Sequence, residues 1–559
     1  MGERPFVAGV DSSTQSCKVV VWDPVSGEVV REGRAPHPEG TEVDPRAWWD
    51  ALNEAVAAAG GLDDVRALSV GGQQHGMVVL DERGEVIRPA LLWNDTRSAG
   101  AARDLIAERA GESSGEAWWA DATGSVPVAS LTVTKLRWLA DHEPDAAQRV
   151  AAVCLPHDYL TWRIAGGFER LGLEGLATDR SDASGTGYVD RSGSAYRRDI
   201  LAQALRCDEE RAEHIVLPRI AEPYEVVAHG DEARGWGEIV LGPGAGDNAA
   251  AALGVDLGPG AAMLSLGTSG VVAAVSESAV SDPSGLVTGF SDASGRWLPL
   301  ACTLNASRII DAMRRVTGLG YEEFDEAALS VPDAGGLRLI PYFEGERTPN
   351  LPDATATLEG MTLANCDPAH VARAAVEGLL ALMRGALDAV RAQGVTIERV
   401  VMVGGGARSR AVRALASGIL GAEVEVPSPA DQDASVIPDE TRTNVSNLSV
   451  GQCVQKPADP SAPLTTVDCS SPHWGEVFFV APIEDSTLPD YETLNDRAFE
   501  ACTPAFADYV GTPYDESSLD TTWFFPSSNS WDNGDRIIAC VAVPLTEDSL
   551  SQSVKNTGM

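Results

Sequence analysis

A mixed α/β protein with more than one globular unit is what the sequence predicts, and three observations carry that prediction. The chain has 559 residues, more than one core ordinarily holds, so roughly three units of about 100 to 200 residues each are expected. A unit of apolar strand, polar turn and apolar strand occurs twice, at 6–23 and at 261–275. A long Ala- and Leu-rich helical pattern at 368–393 then leads through strand 399–403 and a glycine turn into another helix ending near Leu420.

Taken in order, 6–11 and 18–23 read as strands of a β-hairpin whose tip, 12–17, is rich in hydroxyls. Residues 48–59 are helical in composition, and 67–71 form a short buried strand running into a glycine turn. A second cycle begins near Gly242, with the polar turn Gly267-Thr268-Ser269-Gly270 between strands 261–266 and 271–275. Strand 422–426 closes this region. After Pro427 the composition turns to Pro, Ser, Asp and Asn as far as Asn447, which reads as a linker. Beyond it come short β-like runs, one helical stretch at 497–510 and few basic residues. The expected units are therefore 1–241, 242–430, a linker at 431–447, and a small α+β domain at 448–559.

Hydrophobic residues make up 44% and charged residues 22% of the chain, as in globular proteins, and no run of about 18 apolar residues is present to span a membrane. The formal charge of −40 opposes binding to nucleic acid or anionic lipid. The start, Met1-Gly2-Glu3-Arg4-Pro5, enters an apolar strand directly, so a cytoplasmic location is expected. Cysteines are uneven: Cys17, Cys154, Cys207, Cys302 and Cys366 are scattered, whereas Cys453, Cys469, Cys502 and Cys540 share the last stretch. Scattered cysteines suit a reduced enzyme and four in a small terminal domain suit disulfides, for which three connectivities exist. Sequence neighbourhood mildly favours Cys453 with Cys469 and Cys502 with Cys540.

Several short segments carry chemistry. The turns Asp11-Ser12-Ser13-Thr14 and Leu266-Gly267-Thr268-Ser269-Gly270 offer N–H groups and hydroxyls to a phosphate chain, although ordinary hairpins share this composition. Asp11, at a strand end, suits Mg²⁺ held through water. Lys18 reads either as a counter-charge to phosphate or as a solvated strand lysine. Asp247, closing the glycine-rich turn from Gly242, reads either as a helix cap or as a general base that takes a hydroxyl proton. Gly404-Gly405-Gly406-Ala407 lets a flat base approach the backbone. Gln74 and His75, in a glycine-flanked turn, suit polyol hydroxyls, and a lone histidine there also serves structure.

Six segments together carry a resemblance: residues 71–77 (GGQQHGM), 92–97 (LWNDTR), 246–250 (GDNAA), 265–269 (SLGTS), 345–349 (GERTP) and 403–407 (VGGGA). In order and approximate spacing they resemble the FGGY carbohydrate kinases, and within that family the xylulokinases, over about 430 residues. The resemblance implies an actin-like fold of two ribonuclease-H-like lobes, the first sugar-side and the second ATP-side, and ATP-dependent phosphorylation of D-xylulose. It implies Asp247 as catalytic base and Gln74 and His75 as ketose ligands, with Trp93, Asn94 and Asp95 lining the sugar side. Asp11, with Thr14 and Lys18, would serve Mg-ATP, Gly267 and Thr268 its phosphates, and Gly404, Gly405, Gly406 and Ala407 its adenosine. The partners implied are a small ketose, with room for a homodimer. Other readings are a different FGGY sugar kinase, or an inactive truncated kinase joined to a cell-envelope interaction domain.

One departure stands out. Family members follow the strand equivalent to 422–426 with a further Gly- and Ala-rich helix, and here residues 430–438 read ADQDASVIP instead. The expectation is an uncovered sheet at Val400 to Val403 and Val424 to Val426, and loosened lobe closure. The last stretch resembles a septum-formation-related domain of exported or membrane-anchored actinobacterial proteins. That resemblance rests on Val450-Gly451-Gln452-Cys453, Val467-Asp468-Cys469, Pro472-His473, Cys502, 514–519 (YDESSL) and Cys540. Its partner is unidentified. His473 beside Cys469 raises a metal reading, but the cysteine spacing favours disulfides.

Overall fold

A computed structural model describes residues 6–427 apart from 112 and 352, and thereafter 441–443, 448–455, 464–467, 469, 473–483, 485, 488–489, 491–513, 517–526, 531, 536–545, 550, 552–555 and 557. The chain forms two units, Met1–Val436 and Ile437–Met559. Of the stretch 431–447 expected to be linker, all but Thr441–Thr443 lies outside the described residues, and those three form a strand of the second unit.

The first unit repeats one plan in two sheets. In the first lobe, Phe6–Ser12, Ser16–Trp22 and Val29–Pro36 follow one another antiparallel, and Val65–Gly72 lies parallel on the other side of the first strand. Val240–Leu241 extends the sheet parallel beyond it. In the second lobe, Gly260–Leu266, Gly270–Ala274 and Trp297–Thr303 are antiparallel neighbours, and Ile397–Val403 lies parallel on the other side, followed by parallel Glu423–Glu425. The strand and turn segments read from the sequence lie on this frame.

Helices cover the sheets by burying one face each. Pro45–Ala58 starts at Asp44, whose carboxylate accepts the Arg46 N–H at 2.9 Å, and buries Trp48, Leu52 and Ala55. It docks directly on the backbone of Val29–Pro36 because Gly33 has no side chain: a Cβ there would lie 2.1 Å from the Ala55 carbonyl oxygen. The 25-residue helix Pro368–Ala392 starts at Asp367, which accepts the His370 N–H at 3.0 Å.

The expectation of an uncovered strand is overturned at Val400 to Val403, all of which are buried. Val400 and Met402 pack with Leu379, Met383 and Leu387 of helix Pro368–Ala392 and with Val412 and Ala416 of helix Arg410–Leu420. Val401 and Val403 face the other way, onto Ala249, Ala252, Ala261 and Met263. Alternation along the strand thus gives each face its own cover, without a further helix. At the sheet edge Val424 is half-buried and flanked by exposed Glu423 and Glu425, charges that discourage further strand pairing.

The second unit is an antiparallel sheet in the order Thr441–Thr443, Leu464–Val467, Cys453–Val454, Gly475–Pro482, Ile537–Pro544, Leu519–Phe524. Helix Tyr491–Val510 turns Leu494, Ala498, Cys502, Phe506 and Val510 inward, one residue every four, onto Phe478 and Ile538. Disulfides join Cys502 to Cys540 within this core and Cys453 to Cys469 at the sheet. Cys453, Cys469 and Glu476 lie within 4.8 Å of one another. Both sulfurs are bonded to each other and provide no thiolate, and Glu476 already accepts from Tyr509 Oη and Ser553 Oγ, each at 2.7 Å. Among the described residues no helix is long and apolar enough to cross a membrane.

The Cys502–Cys540 bridge closes a separation of 38 residues, for which loop entropy gives a stabilisation of about 4 kcal/mol. Calorimetry of the whole chain should therefore show dithiothreitol lowering one transition, that of the cysteine-bearing unit. The transition of the larger unit, Met1–Val436, should stay in place.

Candidate active site

In each lobe the central parallel strand pair ends in two turns on the same side. Ser12 registers with Gly72 in the first lobe and Ser265 with Val403 in the second. The turns that follow hold the segments singled out above: 13–15 and 73–76, then 267–269 and 404–408. Ligands of α/β sheets lie beyond such carboxyl ends.

Asp247 enters from a loop stitched to the first sheet, where Ala245–Gly246 pairs parallel with Gly71–Gly72. It begins helix Asp247–Gly254, and Gly246 holds the cap position, so Asp247 is not the cap residue. Its Oδ1 accepts the backbone N–H of Asn248 at 2.7 Å and the Asn248 side-chain amide at 3.0 Å. The same Asn248 amide donates to Gln74 Oε1 at 3.0 Å, which ties the two turns together. Gly246 makes room for this: a Cβ there would lie 2.6 Å from Gln74 Nε2.

Burial pushes the Asp247 carboxyl up to about 7, and the charge of Asp11 adds to the rise while the Asn248 bonds oppose it. Burial likewise pushes Asp11 up to about 6 against the pull of Arg34 and Lys18. Lys18 stands beside Asp11 in register but directs its Nζ to Glu32 at 2.9 Å. The second lobe closes in from the other side. Cys302, on Trp297–Thr303, feels the Asp247 charge, and Phe290 places its ring 5.5 Å from that of His75.

His75 adopts φ 68° and engages the Gly185 carbonyl through Nδ1 at 2.9 Å. Burial, then Lys135 and Arg347, push its pKa down to about 3, so the ring is neutral. A neutral ring that donates from Nδ1 keeps Nε2 as an acceptor, the form that takes a hydroxyl hydrogen. Trp93 is half-exposed and donates from Nε1 to Thr14 Oγ1 at 2.9 Å, bridging the 92–97 loop to the first turn. Asn94 is exposed. Asp95 is buried and committed: burial works against its charge, but Thr41 Oγ1 at 2.7 Å and the Arg97 side chain and N–H outweigh that and hold its carboxyl low.

In the second lobe the Gly267 and Thr268 carbonyls accept the N–H groups of Ser307 and Ala306 at 2.9 and 3.1 Å. Gly404, at φ 88°, lies so close that a Cβ would meet the Leu266 backbone at 2.9 Å, and one on Gly406 would meet Ser307 Oγ at 2.7 Å. Gly404 to Gly406 thus form one surface with the Leu266–Gly267 turn. Ala407, by contrast, points into the core at 2% exposure.

Sequence reasoning passed over several buried residues at the site. Gln73 is fully buried, and neither of its side-chain amide atoms has a partner among the described residues. Glu346 is 1% exposed and fixes the 345–348 turn by accepting from Leu304 N–H at 2.6 Å and the Asn305 amide at 3.0 Å. Lys135 is fully buried near Asp95. Gln73 and Glu346 lay within motifs read from the sequence, and Lys135 lay in none of them.

Comparison with known proteins agrees with this frame. Residues 6–254 match the N-terminal domain of the FGGY family of carbohydrate kinases, and residues 262–436 match its C-terminal domain. The chain belongs to the FGGY carbohydrate kinases. It is 45% identical to a xylulose kinase of Streptomyces coelicolor over 435 residues, 76% of this chain and 85% of that protein. With a xylulose kinase of Escherichia coli the identity is 34% over 500 residues, 86% of this chain and 94% of that protein. A solved xylulose kinase from Bifidobacterium adolescentis superposes with TM-score 0.73 at 49% identity, covering 77% of this chain and 91% of the other. This FGGY kinase is a phosphotransferase with a hydroxyl acceptor and the actin-like fold, and ATP is the family's phosphoryl donor. Residues 447–559 match the septum formation family.

In this kinase a Gly404→Ala change would push the 404–407 turn off the Leu266 backbone and strain its left-handed φ. KM for ATP should rise about tenfold, the equivalent of about one hydrogen bond to the nucleotide. KM for the sugar should stay unchanged in the same steady-state assay.

Proposed function

We propose that the chain phosphorylates D-xylulose at a terminal hydroxyl, with ATP as donor and Asp247 as general base. The observation that carries this is the half-buried Asp247 carboxylate, linked through Asn248 to Gln74 at a cleft that both lobes line. The names of the similar kinases support the choice of sugar.

The chemistry follows from the residues. Nε2 of His75 and the free side of the Gln74 amide orient the ketose by its hydroxyls. The attacking hydroxyl gives its proton to Asp247 as its oxygen bonds to the γ-phosphorus, and ADP leaves. A pKa near neutrality lets this carboxylate hold the proton at the moment of transfer and return it to solvent afterwards. The second-lobe turns at 267–268 and 404–406 take the phosphates and adenosine in this reading, supported by the absence of side chains on Gly267 and Gly404 to Gly406. The charge of Asp11 raises the cost of ionising Asp247, and two carboxylates at one cleft are a donor set that fits a divalent cation. Asp11 would hold Mg²⁺ through water; when bound, the ion neutralises phosphate charge.

Two outcomes test the reading. Asp247→Ala should lower turnover by roughly two or more orders of magnitude while calorimetric ATP binding persists. A base works ionised, so kcat/KM should fall as pH drops through about 7. If glycerol or another ketose outpaces D-xylulose in a panel of acceptors, the sugar assignment is wrong and the family assignment stands.

A further inference from the structure

Behind the loop that carries Asp247 lies a set of charged side chains with no part in the chemistry above. His157, in the first turn of helix Pro156–Ile164, is fully buried, with Asp158, Asp179 and Asp182 buried around it. Its Nδ1 lies 2.7 Å from Asp182 Oδ2. Its Nε2 lies 3.2 Å from Asp158 Oδ1 and 3.2 Å from the Pro243 carbonyl oxygen, with Asp179 at 3.9 Å. Asp158 also accepts the Leu155 N–H at 2.7 Å, and Asp179 accepts those of Ser181 and Asp182 at 2.7 and 3.1 Å. Both ring nitrogens therefore face acceptors. A carbonyl cannot donate, so Nε2 carries a hydrogen, and the carboxylate at Nδ1 calls for a second one. The ring that meets both demands is the imidazolium. Burial opposes that charge, but the three carboxylates outweigh it and push the ring up to about 10.

His157 also occupies the space beneath two turns. A Cβ on Gly72 would lie 2.8 Å from His157 Cβ, and one on Gly244 would lie 2.3 Å from His157 Cδ2. Gly72 opens the turn that bears Gln74 and His75, and Gly244 belongs to the loop that bears Asp247. The same loop is pinned by Ser181 Oγ, which accepts the Gly246 N–H at 3.1 Å, and by the pairing of Ala245–Gly246 with Gly71–Gly72. The glycines of both motifs thus make room for one residue: Gly72 admits the His157 backbone and Cβ, and Gly244 admits its ring.

We propose that His157, held as a buried imidazolium, is the positioning residue that fixes both turns and so aims Asp247 at the sugar hydroxyl, an inference that rests on Asp247 being the base. Its charge binds the loop through the Pro243 carbonyl and neutralises carboxylates that would otherwise repel one another beneath it. It is fully buried, out of reach of a ligand in the cleft.

The test uses the whole chain in a steady-state D-xylulose kinase assay. His157→Gln keeps a donor and removes the charge; kcat should fall about 10- to 100-fold, with KM for ATP within about twofold of the parent. His157→Lys restores a buried cation with donors for Asp182 and Pro243 and should recover most of the loss. Undiminished kcat in His157→Gln, or equal loss in both variants, overturns the proposal. Should His157→Gln fail to fold, nitrogen-15 NMR of histidine-labelled parental protein decides the matter. Two protonated ring nitrogens on His157 from about pH 6 to about pH 8 support the charged wedge, and a neutral ring overturns it. Asp247→Ala, assayed alongside, separates the two readings. An impaired Asp247→Ala beside a fully active His157→Gln sinks the positioning role alone, whereas a fully active Asp247→Ala sinks the base and the positioning role together.

Discussion

Asp247 is half-buried at the cleft and feels the charge of Asp11, so its ionised form is held there at a cost in free energy. A carboxyl in that situation would swing away if its loop were free. It does not, because the loop is stitched to the first sheet at Gly71–Gly72 and its Oδ1 is taken by two donors of Asn248. Much of the geometry of the first lobe around the cleft serves this constraint. The Gln74 side chain reaches Asn248 because Gly246 has no Cβ, and His75 turns its backbone to φ 68° so that its ring meets Gly185.

The two lobes contribute different things to that cleft. The first supplies carboxylates and the neutral imidazole, groups suited to protons and hydroxyls. The second supplies bare backbone turns, at Gly267 and at Gly404 to Gly406, and Gly404 and Gly406 pack so tightly on Leu266 that side chains are excluded there. The proposed reaction divides its labour along the same line, proton transfer and hydroxyl binding on the first lobe and phosphate and adenine binding on the second. The second lobe keeps this shape because Ile397–Val403 is covered on both faces by helices and strands that precede residue 421.

How much of this was legible in the sequence depended on whether a feature was local. The glycine turns, the hydroxyl-rich hairpin tips and Asp247 stand in short segments whose composition states their conformation, and those segments fall at the cleft. The inward stripe of helix Tyr491–Val510 is visible as residues spaced by four. Contacts made through space were not legible. Asp95 looks like an open carboxylate in its motif, but Thr41, far away in sequence, and Arg97 occupy it. Lys18 is spent on Glu32 across the hairpin, and Ala407 turns into the core although its three glycine neighbours line the surface. The expected gap over Val400 and Val401 failed for a related reason: one covering helix comes after the strand, but the other covers come from 249–263 and 368–392 before it. His157 and its aspartates gave no signal at all, because only the fold gathers 157, 179, 182 and 243.

The account rests on Asp247 meeting the hydroxyl that is phosphorylated. A crystal structure of the whole chain with D-xylulose and a non-hydrolysable ATP analogue examines that most directly. The account predicts a terminal hydroxyl of the ketose within hydrogen-bond reach of an Asp247 carboxylate oxygen, about 2.6 to 3.2 Å, with the terminal phosphate on the far side of that hydroxyl. A sugar seated with all its hydroxyls beyond reach of Asp247, or with another side chain against the hydroxyl that faces the phosphate, would contradict it.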